Sequence, residues 1–334
     1  MTRIAVLGAG SWGTTFATVL AAAGNDVVVW ARRAEVAREI SREHRNRAYL
    51  GERELSERIT GTADIASALA GVAGVFVAIP AQQLRATLEG WRDRLPDGLP
   101  AVPVVSLTKG IEHGTTCRMS ELLTTVGGLA PEHALVLSGP NLSGEIAAGQ
   151  PCASVVAGLD EAIAHRVAGW CTGPAFRSYV SSDVRGVEVA GAVKNVIAIA
   201  VGAAAGLGYG DNTRASLITR GLAEITRLGV DLGGERSTFA GLAGLGDLVA
   251  TCASPLSRNH RLGAALGRGL DLPAAIVEVG QTAEGVATAR AVVEVADRRG
   301  VEVPIARGVV DVVDGTRSIT EVTTALLTRP VRAE

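Results

Sequence analysis

The sequence predicts an α/β N-terminal domain with a mostly parallel sheet, followed by an all-α C-terminal domain. Three observations carry this. Short apolar runs alternate with helical patterns through the first half of the chain. A glycine-rich turn joins the first apolar run to the first helical pattern. Beyond Asp183 clear strands stop and helical patterns take over. The chain has 334 residues, of which 47% are hydrophobic and 20% charged. That is enough for two domains with large buried cores, and it excludes general disorder. The expected domains are residues 1–186 and 187–334.

Strand candidates are Ile4–Leu7, Asp26–Trp30, Gly74–Ile79, Val102–Leu107, Ala134–Leu137, Ala153–Ala157 and Phe176–Val180. Between them Trp12–Ala23, Ala34–His44, Ala81–Arg94 and Glu161–Trp170 show helical patterns, which implies right-handed crossovers. In the second half Val187–Ala205 is small and apolar, as expected of a helix buried on most faces. Asn212 is expected to cap a helix reaching about Leu228, and Ser257 one reaching about Leu266. Ser318 and Glu321 have the spacing of a capping box. The alanines and glycines of Gly202–Gly210 point to close helix packing rather than a linker.

Composition narrows the function classes. The net charge is −2, and no basic face or tail is present, which argues against nucleic-acid and anionic-membrane partners. The four cysteines, Cys117, Cys152, Cys171 and Cys252, form no CxxC pair and have no histidine at metal spacing. They read as reduced thiols, with no metal site. Met1-Thr2-Arg3 runs directly into the first apolar run, too short for a signal h-region. The longest uncharged apolar run, Val196–Gly208, falls short of the roughly 20 residues of a bilayer span. A soluble, cytoplasmic protein without membrane insertion is expected. Only two lysines occur, Lys109 and Lys194; all other permanently basic side chains are arginine. A site needing an amine that can lose its proton cannot use arginine, so the two lysines are candidates for chemistry.

Gly8-Ala9-Gly10-Ser11-Trp12-Gly13 is a GxGxxG that follows an apolar strand and opens an apolar helix. In this context it reads as the phosphate turn of a Rossmann-type dinucleotide domain. Gly8 permits the tight turn, Gly10 lets the backbone approach a pyrophosphate, and Gly13 lets the helix lie close to the sheet. The anion would rest on the helix N-terminus. The second strand ends in Ala31-Arg32-Arg33, without the carboxylate that usually holds the 2′-hydroxyl of NAD. Two guanidiniums suit a 2′-phosphate, so NADPH is the expected cofactor, with NADH left open.

Lys109 directly follows the strand Val102–Leu107 and so stands at the carboxyl end of the sheet; Ser138-Gly139-Pro140-Asn141 ends another strand in the same way. Lys194 sits inside Gly191-Ala192-Val193-Lys194-Asn195-Val196-Ile197, where an unpaired charge is costly and desolvation favours proton transfer. The bland alternatives are a lysine that snorkels to the surface and one paired with a core carboxylate. Asp247, alone among the glycines of 241–248, could orient Lys194 or bind substrate hydroxyls. Ser257-Arg258-Asn259-His260 at a helix start offers a hydroxyl, a guanidinium, an amide and free N–H groups to a second phosphate. Glu284 either contacts the cofactor or lies in a first helical turn.

With these motifs in place, the sequence resembles the bacterial NAD(P)-dependent glycerol-3-phosphate dehydrogenases over nearly its whole length. The matching pieces are GAGSWG at 8–13, ARR at 31–33, SLTKGIE at 106–112, SGPN at 138–141, GAVKNVIAIAVG at 191–202, GLGYGDNT at 206–213, GLAGLGDL at 241–248 and SRNHRLG at 257–263. Their order and spacing together are highly specific. The resemblance implies that Ser11, Trp12, Arg32, Arg33 and Lys109 line an NADPH site, with Ser143, Arg258, Thr282 and Glu284 also touching the cofactor. It implies that Lys109, Gly139, Asn141, Lys194, Asp247, Ser257, Arg258 and Asn259 hold sn-glycerol 3-phosphate. Lys194 matches the family's proton acceptor, and a homodimer is the family-level expectation. After SGP the family usually has Ser or Thr, Phe and Ala, whereas this chain has Asn141, Leu142 and Ser143.

The expected reaction is the reversible reduction of dihydroxyacetone phosphate to sn-glycerol 3-phosphate, feeding glycerophospholipid synthesis. Lys194 acts as general acid and base, Lys109 polarises the carbonyl, and Ser257, Arg258 and Asn259 clamp the substrate phosphate. The alternatives are a related 3-hydroxyacid dehydrogenase and a non-catalytic NADP-binding regulator. The SRN helix start and GLGDL loop disfavour the first. The presence of both Lys109 and Lys194 disfavours the second.

Overall fold

A computed structural model describes residues 1–280 and 284–327. The chain divides into two compact units, residues 1–109 with 117–188 and residues 110–116 with 189–334. The division lies inside the helix Val184–Gly206, just past residue 186. Glu188 explains why: its carboxylate accepts from Ser120 N at 2.8 Å and from Arg118 Nη1 at 2.8 Å, tying the first turns of that helix to the first unit. Residues 110–116 pack with the second unit through Ile111, which is buried in its core.

The first unit is built on eight strands: β1 (Arg3–Leu7), β2 (Asp26–Trp30), β3 (Ile59–Thr62), β4 (Gly74–Val77), β5 (Val104–Ser106), β6 (Ala134–Ser138), β7 (Cys152–Ala157) and β8 (Phe176–Ser181). Their order is β3-β2-β1-β4-β5-β6-β7-β8. All neighbours are parallel except β6 and β7. The expected α/β class therefore holds. Side chains alternate across the sheet: Ile4, Val6, Val27, Val29 and Phe76 face one apolar layer, and Ala5, Leu7, Val28, Trp30, Val75 and Val77 the other. Burial on both faces is what turns these strands into unbroken apolar runs. Strand order reverses at β1, between β2 and β4, and such a switch point opens a ligand crevice at the carboxyl ends of the strands.

One strand escaped the sequence reading. β3 is an edge strand of four residues, Ile-Thr-Gly-Thr, of which only Ile59 is buried. Half of an edge strand faces solvent or a helix, so its apolar signal is weak. Here the covering helix Ala34–Glu43 comes so close that a Cβ on Gly61 would lie 2.5 Å from the Ala37 carbonyl oxygen. The helix expected to reach Arg94 stops at Glu89.

From Val189 onward the described residues of the second unit form helices joined by turns and loops, with no strand among them. Its core surrounds the helix Val184–Gly206, where Val189, Val193, Val196, Ile197 and Val201 meet Leu228, Leu262 and Val292. That helix is long and apolar enough to cross a membrane, yet 78% of its most apolar stretch is buried inside the protein. Ser257 caps the helix Arg258–Gly267 as expected, and Ser318 and Glu321 form the expected capping box. Asn212 does not cap: the helix Asp211–Asp231 starts from Gly210, which leaves Asn212 inside the first turn.

Glycines set a close helix contact in this unit. A Cβ on Gly202 would lie 2.1 Å from the His260 carbonyl oxygen, and one on Gly263 would lie 2.0 Å from that of Ile199. Gly206 and Gly267 repeat the approach one turn on, at 2.3 Å from the oxygens of Ala264 and Ala203. Both obstacles are backbone, so no side chain can swing away. Gly202→Ala should therefore destabilise the protein by about 1–3 kcal/mol, although alanine is the better helix former. Denaturant unfolding read by circular dichroism checks this.

Candidate functional site

In the first unit the glycine-rich turn leaves β1 and enters the helix Ser11–Ala22. Gly8 has φ +121°, and a Cβ there would lie 2.6 Å from the Ala78 oxygen. A Cβ on Gly13 would lie 1.9 Å from the Gly8 oxygen, so only glycine lets the helix sit this close to the turn. Gly10 differs: nothing lies within 4 Å of the Cβ it lacks. Two glycines thus close the turn and the third leaves backbone accessible on an open side. This arrangement fits a dinucleotide pyrophosphate. Phe16 holds the helix on the sheet, with ring centroids 5.1 Å from Phe76 and 5.7 Å from Phe176. Trp12 packs edge-on to Phe16 at 5.4 Å.

Ser11 and Ser143, 132 residues apart, share a hydrogen bond of 3.0 Å between their hydroxyls. Arg32 and Arg33 are exposed just beyond β2, with Arg33 Nε 3.7 Å from Glu35. Lys109 Nζ donates to the Gly139 oxygen at 2.8 Å, so the loops after β5 and β6 are joined by the lysine expected to act there. Asn141 accepts from Ser154 Oγ at 2.6 Å through Oδ1. Its Nδ2 is buried and has no partner among the described residues, leaving a donor for a ligand.

In the second unit Lys194 is 5% exposed and Asp247 1%. Lys194 Nζ forms an ion pair with Asp247 Oδ1 and donates to Thr251 Oγ1 at 2.6 Å. The lysine is thus not the unpaired charge that the apolar segment suggested: a carboxylate meets it in the core. Asp247 opens the helix Asp247–Ala253, after the π-helical turn Leu242–Gly246. Thr251 lies four residues on, on the same face. Sequence reading missed Thr251, although its spacing from Asp247 was a usable signal. Burial pushes the neighbouring Cys252 thiol up to about 12, so it remains a protonated spectator at neutral pH.

Ser257 is 5% exposed, and its hydroxyl accepts from His260 N at 3.2 Å as an N-cap. Arg258 is exposed in the first turn. Burial, reinforced by Arg214, holds His260 below the usual histidine range, so the positive charge at this helix start belongs to Arg258 and the helix dipole. Asn259 Oδ1 accepts from Gly285 N at 3.1 Å, which ties Glu284 and its helix to the same region. A Cβ on Gly285 would lie 2.7 Å from Asn259 Oδ1 and 2.9 Å from the Asn195 oxygen. Asn195, Asn259 and Gly285, from three helices, therefore meet one residue along from Lys194. Thr282 lies outside the described residues.

The buried ion pair makes a stability test. Asp247→Ala leaves a charged lysine in the core and should destabilise by about 3–5 kcal/mol, whereas Lys194→Met combined with Asp247→Leu should recover most of the loss. Denaturant unfolding of the unaltered protein and the two variants measures both.

Two family models match the chain. One describes the N-terminus of NAD-dependent glycerol-3-phosphate dehydrogenase and covers residues 3–164; the other describes the C-terminus and covers residues 183–324. A relative from Corynebacterium jeikeium, named glycerol-3-phosphate dehydrogenase (NAD(P)+), is 50% identical over 335 residues and spans 100% of both chains. A relative of the same name from Thermobifida fusca is 52% identical, covering 93% of this chain and 92% of its own. The crystal structure of glycerol-3-phosphate dehydrogenase from Coxiella burnetii superposes with a TM-score of 0.91 at 35% identity, covering 98% of this chain and 99% of that one. The chain belongs to the NAD-dependent glycerol-3-phosphate dehydrogenase family.

Proposed function

We propose that this protein reduces dihydroxyacetone phosphate to sn-glycerol 3-phosphate with NADPH, or with NADH as the alternative donor, and runs the reverse reaction when concentrations demand. The observation that carries the chemistry is the buried lysine held between Asp247 and Thr251. When bound, the nicotinamide supplies the hydride that adds to C2 of the ketone. The Gly8–Gly13 turn receives the pyrophosphate, Ser11, Trp12 and Ser143 line the same side, and Arg32 and Arg33 take the 2′-phosphate. Arg258 and Glu284 complete the cofactor contacts.

Lys194 donates its ammonium proton to the oxygen on C2 as that carbon becomes tetrahedral, and recovers a proton from the alcohol in reverse. Asp247 and Thr251 hold the amine in one place, so little reorganisation is needed as charge develops. Lys109, positioned by the Gly139 carbonyl, polarises the ketone oxygen, and the Asn141 amide adds a second donor. Ser257, Arg258 and Asn259 hold the substrate phosphate against the helix N-terminus. The product is a precursor of glycerophospholipids, and the working form is a cytoplasmic homodimer without nucleic-acid partners or membrane insertion.

Loss of nicotinamide absorbance with dihydroxyacetone phosphate, followed with NADPH and NADH in parallel, tests the reaction. Rapid oxidation with NADPH preferred supports the whole reading. Preference for NADH would keep the enzyme and overturn the assignment of the arginines. Activity on hydroxyisobutyrate alone would make it a hydroxyacid dehydrogenase, and tight cofactor binding without turnover would make it a sensor. Lys194→Arg should lower kcat by roughly 100- to 10,000-fold, because arginine keeps the charge but cannot release the proton. Near-normal turnover would remove Lys194 from the proposed role. Replacing both Arg32 and Arg33 with alanine should raise the KM for NADPH by about ten- to a hundredfold and leave that for NADH nearly unchanged.

A further inference from the structure

Asn46 lies far from every motif read in the sequence, yet its side chain ends inside the glycine-rich turn. It is fully buried, and Nδ2 donates to the Ala9 carbonyl oxygen at 2.9 Å and to Thr14 Oγ1 at 2.8 Å. A carbonyl oxygen only accepts, so the amide orientation follows from the geometry. The Asn46 backbone is held as well: its oxygen accepts from Tyr49 N at 3.1 Å and Leu50 N at 2.9 Å, starting the short helix Arg47–Leu50. One side chain thus bridges the turn, at Ala9, and the first turn of the following helix, at Thr14.

The Ala9 oxygen and the Gly10 N–H belong to one planar trans peptide group, and in such a group they point in opposite directions. Holding the oxygen toward buried Asn46 therefore directs the Gly10 N–H away from the core. The Cβ that Gly10 lacks would have nothing within 4 Å, so Gly10 has an open side. We infer that Asn46 is a positioning residue for cofactor binding: it locks the Ala9–Gly10 peptide so that the Gly10 N–H is presented to the cofactor pyrophosphate. This rests on the proposed use of NAD(P)H at the glycine-rich turn. A glycine-flanked peptide is otherwise free to flip, because glycine tolerates both orientations. The lock removes that freedom before the ligand arrives, which lowers the ordering cost of binding.

Calorimetric titration of Asn46→Asp with two ligands tests the inference. Aspartate keeps the shape but replaces the donor with an acceptor that repels the Ala9 oxygen. NADPH carries the pyrophosphate, whereas adenosine 2′-monophosphate carries only the adenosine and the 2′-phosphate. NADPH affinity should fall by about ten- to a hundredfold, the loss of one hydrogen bond to a charged group, with adenosine 2′-monophosphate affinity unchanged. Thr14→Val removes the second acceptor while keeping the β-branched shape, and should give the same pattern with a smaller loss. Equal weakening of both ligands in both variants, as general damage to the unit would produce, overturns the inference. So does unchanged NADPH affinity in either variant. If the unaltered protein fails to bind NADPH, the cofactor reading itself is wrong.

Discussion

A buried charge must be met by another. Lys194 and Asp247 sit 53 residues apart in sequence and both lie almost wholly out of solvent. Either alone in that core would cost several kcal/mol. The second unit is therefore constrained to bring the start of the helix Asp247–Ala253 against the middle of the helix Val184–Gly206. Thr251 follows on the same helical face and completes the grip on the amine. The pair is thus both a packing constraint and the device that keeps a lysine, with its transferable proton, in one orientation.

Close backbone approach is the second organising constraint, and glycine is the residue that allows it. In the first unit Gly8 and Gly13 let a helix N-terminus stand directly over the end of β1. In the second, Gly202, Gly206, Gly263 and Gly267 let two helices touch backbone to backbone. That contact sets where Ser257 and Asn259 fall along the lysine-bearing helix, since Gly263 and Gly267 continue the helix that Ser257 caps. Asn259 then fastens Gly285 and its helix to the same place. The glycine-rich turn and the polar cluster around Lys194 are built in the same way: small residues bring backbones together, and a few hydrogen bonds fix the polar groups at the contact.

Much of this was readable from residue order. Five strands, β1, β2, β4, β5 and β6, send apolar side chains into both layers, and such runs are visible without a structure. β3 was not, because an edge strand with one buried residue carries little pattern. The glycine turn, the serine cap at Ser257 and the capping box at Ser318 are local devices, and local devices are written in consecutive residues. Asn212 shows the limit of that logic: an asparagine near a helix start has a capping composition, but Gly210 takes the position. Asn46 and Thr251 were missed for a different reason. Each acts on a partner more than thirty residues away, and only the four-residue spacing of Thr251 from Asp247 hints at either.

Residue type and spacing alone establish most of the strands, the glycine-rich turn, the scarcity of lysine and the family. Those properties depend on periodicity, on chain stereochemistry and on short-range hydrogen bonds, all of which act between near neighbours. The three-dimensional fold decides which polar groups share their burial: Lys194 with Asp247 and Thr251, Lys109 with Gly139, Asn141 with Ser154, and Asn46 with Ala9. It also decides that β7 runs against β6, and that residues 110–116 leave the unit on either side of them in sequence. The physical reason is desolvation. A polar group withdrawn from water must find its partner wherever packing has placed one, and that place is set by the whole core rather than by the adjoining residues.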